Sequence, residues 1–452
     1  MEDKNKPKTS VSGDRGGARQ HGHRRIAGWR SNILSRLIIG IVAVVIILGL
    51  IIPDRDFSDN ENRNLTTFPR PTRESLLSGD FTSDLSSYLA DQFAFRDFWV
   101  SFNHDMEIIS GKKETGDVYF GKKGCLLARP ATPDDDAMSK TLDAMLRYHE
   151  AYPNIGMTAM IVPCYAAVDP SLLPAHAPVR DQAGDIASEN QKLSDGGYQI
   201  VQAQSALEQH ADEYIYYKTD HHWTTQGAYY AFTASQGVLD IMAPTATYTQ
   251  YQVSDSFQGT LASQSGSYST KDDIFVYALD ADQTKYYVDI PDLGQTTTSV
   301  YDSSKLEEKD QYQVFFGGNH PLVEIHTANK TGRNLLVFKD SYANSLVPFY
   351  IPYFDNIYMI DPRYYYDSAD ILMTTDAITD VLFVYSQNTL ATDTSLADVL
   401  NDASQSAQVS SDASADTSAG TSDGTSSGSE AVTATSANAA ESVEAVSSVS
   451  TP

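Results

Sequence analysis

Four consecutive residues, Asp220-His221-His222-Trp223, are where the residue types of this chain most suggest acid–base chemistry. Tyr214 to Thr219 ahead of them alternate as a strand would, and Thr224 or Thr225 can cap a following helix that carries Tyr229, Tyr230 and Phe232. A strand-to-helix loop is where an α/β sheet presents its working side chains. Residues two apart on an extended chain project to one side, so Asp220 is expected to face His222 while His221 points away. A carboxylate placed that way fixes an imidazole tautomer and stabilises its cation, two of the three parts of a Ser-His-Asp relay. The same pattern also suits a purely structural Asp–His hydrogen bond, with Trp223 either walling a site or packing in the core.

The third part has one good candidate. The apolar run Asn334 to Phe338 leads into Lys339-Asp340-Ser341-Tyr342-Ala343-Asn344-Ser345, a strand end followed by a small-residue turn into a helix. Free N–H groups at a helix start can bind a developing oxyanion beside Ser341, although Ser341 as a simple helix cap satisfies the same pattern.

These blocks together resemble the DHHW protein family, itself similar to the alginate O-acetyltransferases with an SGNH-hydrolase-like domain. The resemblance runs from about Phe57 to Leu390. It rests on Asp220 to Trp223 with the Thr-Thr-x-Gly-Ala continuation, Asn60-Glu61-Asn62-Arg63, Asp91 to Asp97, Gly317-Gly318-Asn319, Lys339 to Tyr342 and Asp361-Pro362-Arg363-Tyr364. It implies Asp220 as acid, His222 as base and Ser341 as nucleophile, in the Asp-His before Ser order of a circularly permuted SGNH-like fold. Lys339 stands where the family's block has Gly, and the oxyanion-hole Asn has no direct counterpart. Asn388, beyond the strand Val381 to Tyr385, is the expected donor, with Gly317 to Asn319 as the alternative. Arg363, after a strand end, and Trp223 are expected to line the substrate site. Arg63 and Arg96 are read as members of local ion pairs with nearby carboxylates such as Asp91 and Asp97.

The elements that must position these residues read as α/β: a central parallel sheet flanked by helices, with a β-rich insertion at about 245–325. Strands are expected at Gly156 to Val162, Asn334 to Phe338, Asn356 to Ile360 and Val381 to Tyr385, and antiparallel ones at Ile274 to Ala278 and Lys285 to Ile290. Helices are expected at Phe81 to Ser110 and Asp136 to Tyr152, the second started by Thr132 and Pro133. The 57–399 domain is preceded by an uncharged run, Leu37 to Ile52, expected to be a transmembrane helix. Residues 1–36 before it are rich in Lys and Arg, which predicts a cytoplasmic N-terminus and an extracytoplasmic domain in the cell membrane. Residues 400–452 are Ser, Ala, Thr, Gly and Asp without Lys, Arg or aromatics, and are expected to be disordered.

With 32 basic against 59 acidic residues the chain has a formal charge of −27, which argues against nucleic-acid binding. Its two cysteines, Cys125 and Cys164, are too few for a disulfide framework and lack zinc spacing; they either pair or stay as separate buried thiols. No cofactor and no metal are expected. The leading expectation is an extracytoplasmic O-acyl, chiefly O-acetyl, transferase or esterase acting on a cell-surface glycan, with a membrane acyl-transfer protein as possible partner. The other readings are a non-catalytic glycan-binding or envelope-assembly protein and, with less support, a metal-dependent DHH phosphoesterase.

Overall fold

A computed structural model describes residues 21–403 apart from 62, 242–245 and 281–283, with backbone alone at 21–32, 34, 46 and 50. The expected leader up to residue 20 and the tail from residue 404 lie outside the described residues. The ordered chain nevertheless passes the expected tail boundary: residues 395–403 are helical, and Leu396, Leu400 and Ala403 are buried in the core. Composition signals the start of the tail too early because small residues there still pack.

The frame is one eight-stranded mixed sheet. Its strands are β1 (Gly156–Val162) and β2 (Gln199–Ile200), then β5 (Tyr286–Ile290), β6 (Gln295–Thr297) and β7 (Leu322–Thr327), then β8 (Asn334–Lys339), β9 (Asn356–Ile360) and β10 (Asp380–Ser386). The labels β3 (Tyr248–Phe257) and β4 (Asp272–Leu279) belong to a separate antiparallel hairpin. In space the order is β6-β5-β7-β9-β8-β10-β1-β2, with β9 through β2 parallel and β7, β5 and β6 added antiparallel on one edge. The region expected as an inserted lobe therefore splits, half forming the hairpin and half widening the main sheet.

Alternation along the parallel strands sorts their side chains into two cores. Leu335, Val337, Leu382 and Val384 face one side, whereas Leu336, Phe338, Val381 and Phe383 face the other. Both sides are covered, so these strands read as unbroken apolar runs. On the Phe338 side lie α4 (Asp135–Ala151) and α5 (Gln182–Asp195), which contribute Met138, Leu142, Tyr148 and Ile186. On the other lies α6 (Thr225–Ser235), with Ala228, Ala231 and Phe232. The Asp134 side chain caps α4 by accepting from Asp136 and Ala137 N–H, in place of the expected start at Thr132 and Pro133.

Nearer the N-terminus, α1 spans His21–Ile51. It contains most of the run expected as an anchor at 37–52, but among the described residues no helix is long and apolar enough to cross a membrane. The single helix expected from Phe81 to Ser110 is two, α2 (Asp80–Asp91) and α3 (Arg96–Ile109), broken where Phe95 adopts a left-handed backbone with φ 57°. Arg63 bonds Asp91 through two nitrogens at 2.5 and 3.1 Å, Arg96 pairs with Glu61, and Arg55 pairs with Asp97 at 2.9 Å. These arginines hold the N-terminal helices together. Cys125 and Cys164 are unpaired thiols buried in one small apolar cluster with Tyr119 and Leu127; burial pushes the Cys164 thiol up to about 11.

Phe338 is fully buried, edge-on to Tyr148 at 5.6 Å and stacked on Phe383 at 5.0 Å between centroids. Phe338→Ala should lower stability by about 3–5 kcal/mol, read as a reduced urea midpoint by far-UV circular dichroism.

Candidate active site

The loop after β8 and the loop before α6 meet above the C-terminal ends of the parallel strands, where an open α/β sheet leaves room for a site. The approach from Tyr214 to Thr219 forms no regular strand. It folds back as a tight loop, with one bridge between Tyr216 and Trp223 and bonds from Thr224 N–H to Ile215 O (2.9 Å) and from Tyr217 N–H to His222 O (3.3 Å). Thr224 ends the turn as the α6 cap by accepting from Gly227 N–H.

Asp272, buried in β4, fixes this loop from below. Its carboxylate accepts the Lys218 N–H (2.9 Å), the Thr219 N–H (2.8 Å), the Thr219 hydroxyl (2.6 Å) and the Tyr214 hydroxyl (2.7 Å). Above it sits Asp220, 3% exposed. Asp220 Oδ1 accepts from His222 N–H (3.0 Å) and from His222 Nδ1 (2.6 Å). Its Oδ2 accepts from the Thr260 N–H (2.7 Å) and hydroxyl (3.0 Å) at the start of α7 (Thr260–Ser265). Because Nδ1 gives its proton to Asp220, Nε2 of a neutral His222 is left as an acceptor, and it lies 2.7 Å from Ser341 Oγ. The three residues expected from sequence thus form one hydrogen-bonded chain. Burial alone would raise the Asp220 carboxyl, but His221 and His222 and the bonds from His222 and Thr260 outweigh it and hold Asp220 below the ordinary carboxylate range.

His221 does not point clear of its neighbour as expected. Its ring centroid is 3.9 Å from that of His222, and its Nδ1 lies 2.6 Å from Thr260 Oγ1, with 36% of the side chain exposed. Burial first, then repulsion from His222, lowers its affinity for a proton. Asp220, His221 and His222 bring ligand-capable atoms within 4.8 Å of one another. A cation there would have to displace hydrogen bonds already made to Thr260 and Ser341.

Ser341 is set by its neighbours. Buried Asp340 accepts from Tyr342 N–H (3.0 Å) and from Ser386 N–H at the end of β10 (2.8 Å), tying the nucleophile loop to the adjacent strand. Among the hydrogen bonds of the described residues none uses the Ser341 N–H, which leaves it available as an oxyanion donor. Tyr312 lies flat on His222, centroids 3.8 Å apart and planes within 8°, while its hydroxyl donates to Ser341 O at 3.1 Å. The sequence reading missed Tyr312, Thr260 and Asp272, which lie in the region of weakest pattern.

Two site expectations are corrected. Trp223 lines no surface: it is fully buried, and its Nε1 is within bonding distance of Tyr342 O (3.1 Å) and Ser345 Oγ (2.9 Å), bracing the nucleophile loop from behind. Asn388 is spent on the scaffold, its Oδ1 accepting from Ala131 N–H and Gln182 Nε2 and its Nδ2 donating to Arg129 O. The alternative, Asn319, accepts from Lys339 Nζ and Asn344 Nδ2, both at 3.0 Å. Lys339 therefore has a use of its own: buried, it bonds Asn319 and Asp361 (3.3 Å). Arg363 clasps Asp361 at 2.6 and 2.8 Å and joins His221, Tyr342 and Ser386 around a cavity of about 260 Å³. Asp220, His222 and Ser341 line neither this cavity nor a larger one of about 750 Å³ between α2, α3 and α7.

Residues 198–360 match the model described as DHHW protein. A DHHW family protein from Eubacterium siraeum has a similar structure, with 27% identity and a TM-score of 0.53 over 64% of this chain and 99% of that one. PatB1 of Bacillus cereus, solved with a sulfonyl adduct, aligns at 19% identity and TM-score 0.49 over 61% and 97%. The O-acetyltransferase domain of Pseudomonas putida AlgJ aligns at 12% and 0.41 over 63% and 98%. No curated protein matches by sequence.

Gly259 is forced by this geometry, since a Cβ there would lie 2.2 Å from Asp220 Oδ2 and 2.3 Å from its Cβ. Gly259→Ala should slow fluorophosphonate labelling at least about tenfold by displacing Asp220, with circular dichroism unchanged. Beneath the Ser386 turn, Glu189 accepts from Gln387 at 2.7 Å, and burial pushes its carboxyl up to about 7. A raised carboxyl stabilises the fold while protonated and loses that contribution as pH rises through about 7. Thermal midpoints should fall between pH 6 and pH 8, and Glu189→Gln should flatten the slope.

Proposed function

Taking the DHHW-family match over residues 198–360 as premise, we propose that the domain transfers or removes an O-acyl group, chiefly acetyl, on a cell-surface polysaccharide. The observation that carries this reading is the unbroken hydrogen-bonded chain from Asp220 through His222 to Ser341. In the proposed reaction His222 Nε2 takes the Ser341 proton as Oγ attacks the acyl carbonyl, and Asp220 stabilises the resulting imidazolium. The Ser341 N–H faces the developing oxyanion. The imidazolium then protonates the leaving oxygen, and the acyl-serine passes its group to a sugar hydroxyl, or to water in the esterase form, deprotonated by the same His222.

The resemblance to the alginate O-acetyltransferases favours a sugar acceptor over water. Arg363 beside His221 is the side chain proposed to line the acceptor's path. The helix containing Leu37 to Ile52 is proposed as a single-pass membrane anchor, which sets the domain at the extracytoplasmic face where glycans are assembled. A membrane partner that supplies acyl groups is consistent with that placement.

Ser341→Ala should abolish fluorophosphonate labelling and acyl transfer, and His222→Ala should slow both about 10² to 10⁴-fold. Turnover retained by Ser341→Ala on a validated acyl ester sinks the assignment.

A further inference from the structure

Helix α3 is amphipathic the wrong way round for a helix of a soluble domain. Phe98, Trp99, Phe102, Met106 and Ile109 fall within an arc of about 100° at helical spacing, and Phe95, just before the first turn, is exposed as well. All six are between 41% and 76% exposed; Trp99, the least exposed, edges the cavity between α2, α3 and α7, and the rest of the stripe faces solvent. The opposite face, turned inward, carries buried His104. An aromatic patch of this size on a protein surface marks contact with another protein or with a membrane.

The chain itself indicates which. Arg55 follows the apolar helix α1 by four residues and is clamped to α3: its guanidinium holds Asp97 at 2.9 and 3.2 Å, and its N–H donates to Gln92 Oε1 at 3.0 Å. Asp54 accepts the Tyr88 hydroxyl of α2 at 2.9 Å. The first turn of α3 is therefore fastened near the end of α1, whose Leu37, Ile39, Val42, Val44 and Ile51 are likewise exposed.

We propose that α3 lies in the interfacial layer of the lipid bilayer, with Phe98, Trp99 and Phe102 sunk at headgroup depth, as a second membrane contact that holds the domain down on the surface. The proposal extends the single-pass reading of α1 and is separable from it.

The test uses the full chain in nanodiscs of phosphatidylcholine and phosphatidylglycerol, with nitroxide labels on Phe98→Cys, Phe102→Cys and Ile109→Cys, on Val44→Cys in α1 and on Lys330→Cys as an aqueous reference. The native cysteines are buried and stay unlabelled. Collision rates with oxygen and with a nickel chelate report depth. The expected oxygen-to-nickel ratio at positions 98, 102 and 109 is at least about fivefold that at 330. Aqueous ratios at those three positions overturn the proposal whatever Val44 reads. Shielding from both reagents overturns it too, in favour of contact with a second protein copy. An aqueous Val44 with lipid-exposed 98, 102 and 109 removes the spanning anchor and leaves the surface helix standing.

Discussion

The site depends on a single buried carboxylate whose two oxygens are both committed. Asp220 Oδ1 orients His222 and Oδ2 is locked by Thr260, so the imidazole is left with one orientation, Nε2 toward Ser341. A carboxylate withdrawn from water is stable only when its hydrogen bonds are fully met. The surrounding structure supplies them. Asp272 stiffens the loop beneath, Gly259 lets the backbone approach closely enough for Thr260 to bond, and Tyr312 clamps the imidazole plane. The β3–β4 hairpin is thus more than an elaboration of the fold: Asp272 lies on it, and Thr260 lies in the connection between its strands.

A second buried network sits under the nucleophile. Lys339, Asp361 and Arg363 place two cations on one carboxylate, and Asn319 takes a further Lys339 proton. Burial lowers the Lys339 ammonium's proton affinity while Asp361 supports it, and Asp361 is held below the ordinary carboxylate range because its bonds to Arg363 and Lys339 outweigh burial. A lysine next to the nucleophile block is accommodated because its long stem carries the charge into this network.

Much of this was legible in the residues. The four runs at Gly156, Asn334, Asn356 and Val381 are apolar without alternation because both faces of the sheet are covered, and that pattern survives in sequence. Asp220, His222 and Ser341 are legible through several motifs standing in one order, since on pattern alone a structural Asp–His pair and a serine cap fit the same residues. What escaped was set by tertiary contact. Trp223, which in sequence fits either a site wall or the core, packs in the core as a brace; Asn388, expected as a donor, is a staple, since only the fold reveals what an amide already bonds. Tyr312 and Thr260 lie in stretches whose polar alternation gives no sign that they reach the site. Phe95 breaks a helix whose apolar spacing reads straight through, because periodicity does not register a left-handed residue.

The central claim is that Ser341 carries the acyl group. The most direct measurement is peptide mass mapping after rapid acid quench of the full chain mixed with an activated acetyl ester. An acetyl adduct on Ser341, longer-lived when Asp220 is replaced by Asn, is the predicted result. Hydrolysis of the ester at the wild-type rate in the Ser341→Ala chain, with no adduct on any peptide containing Ser341 in the native one, would contradict it.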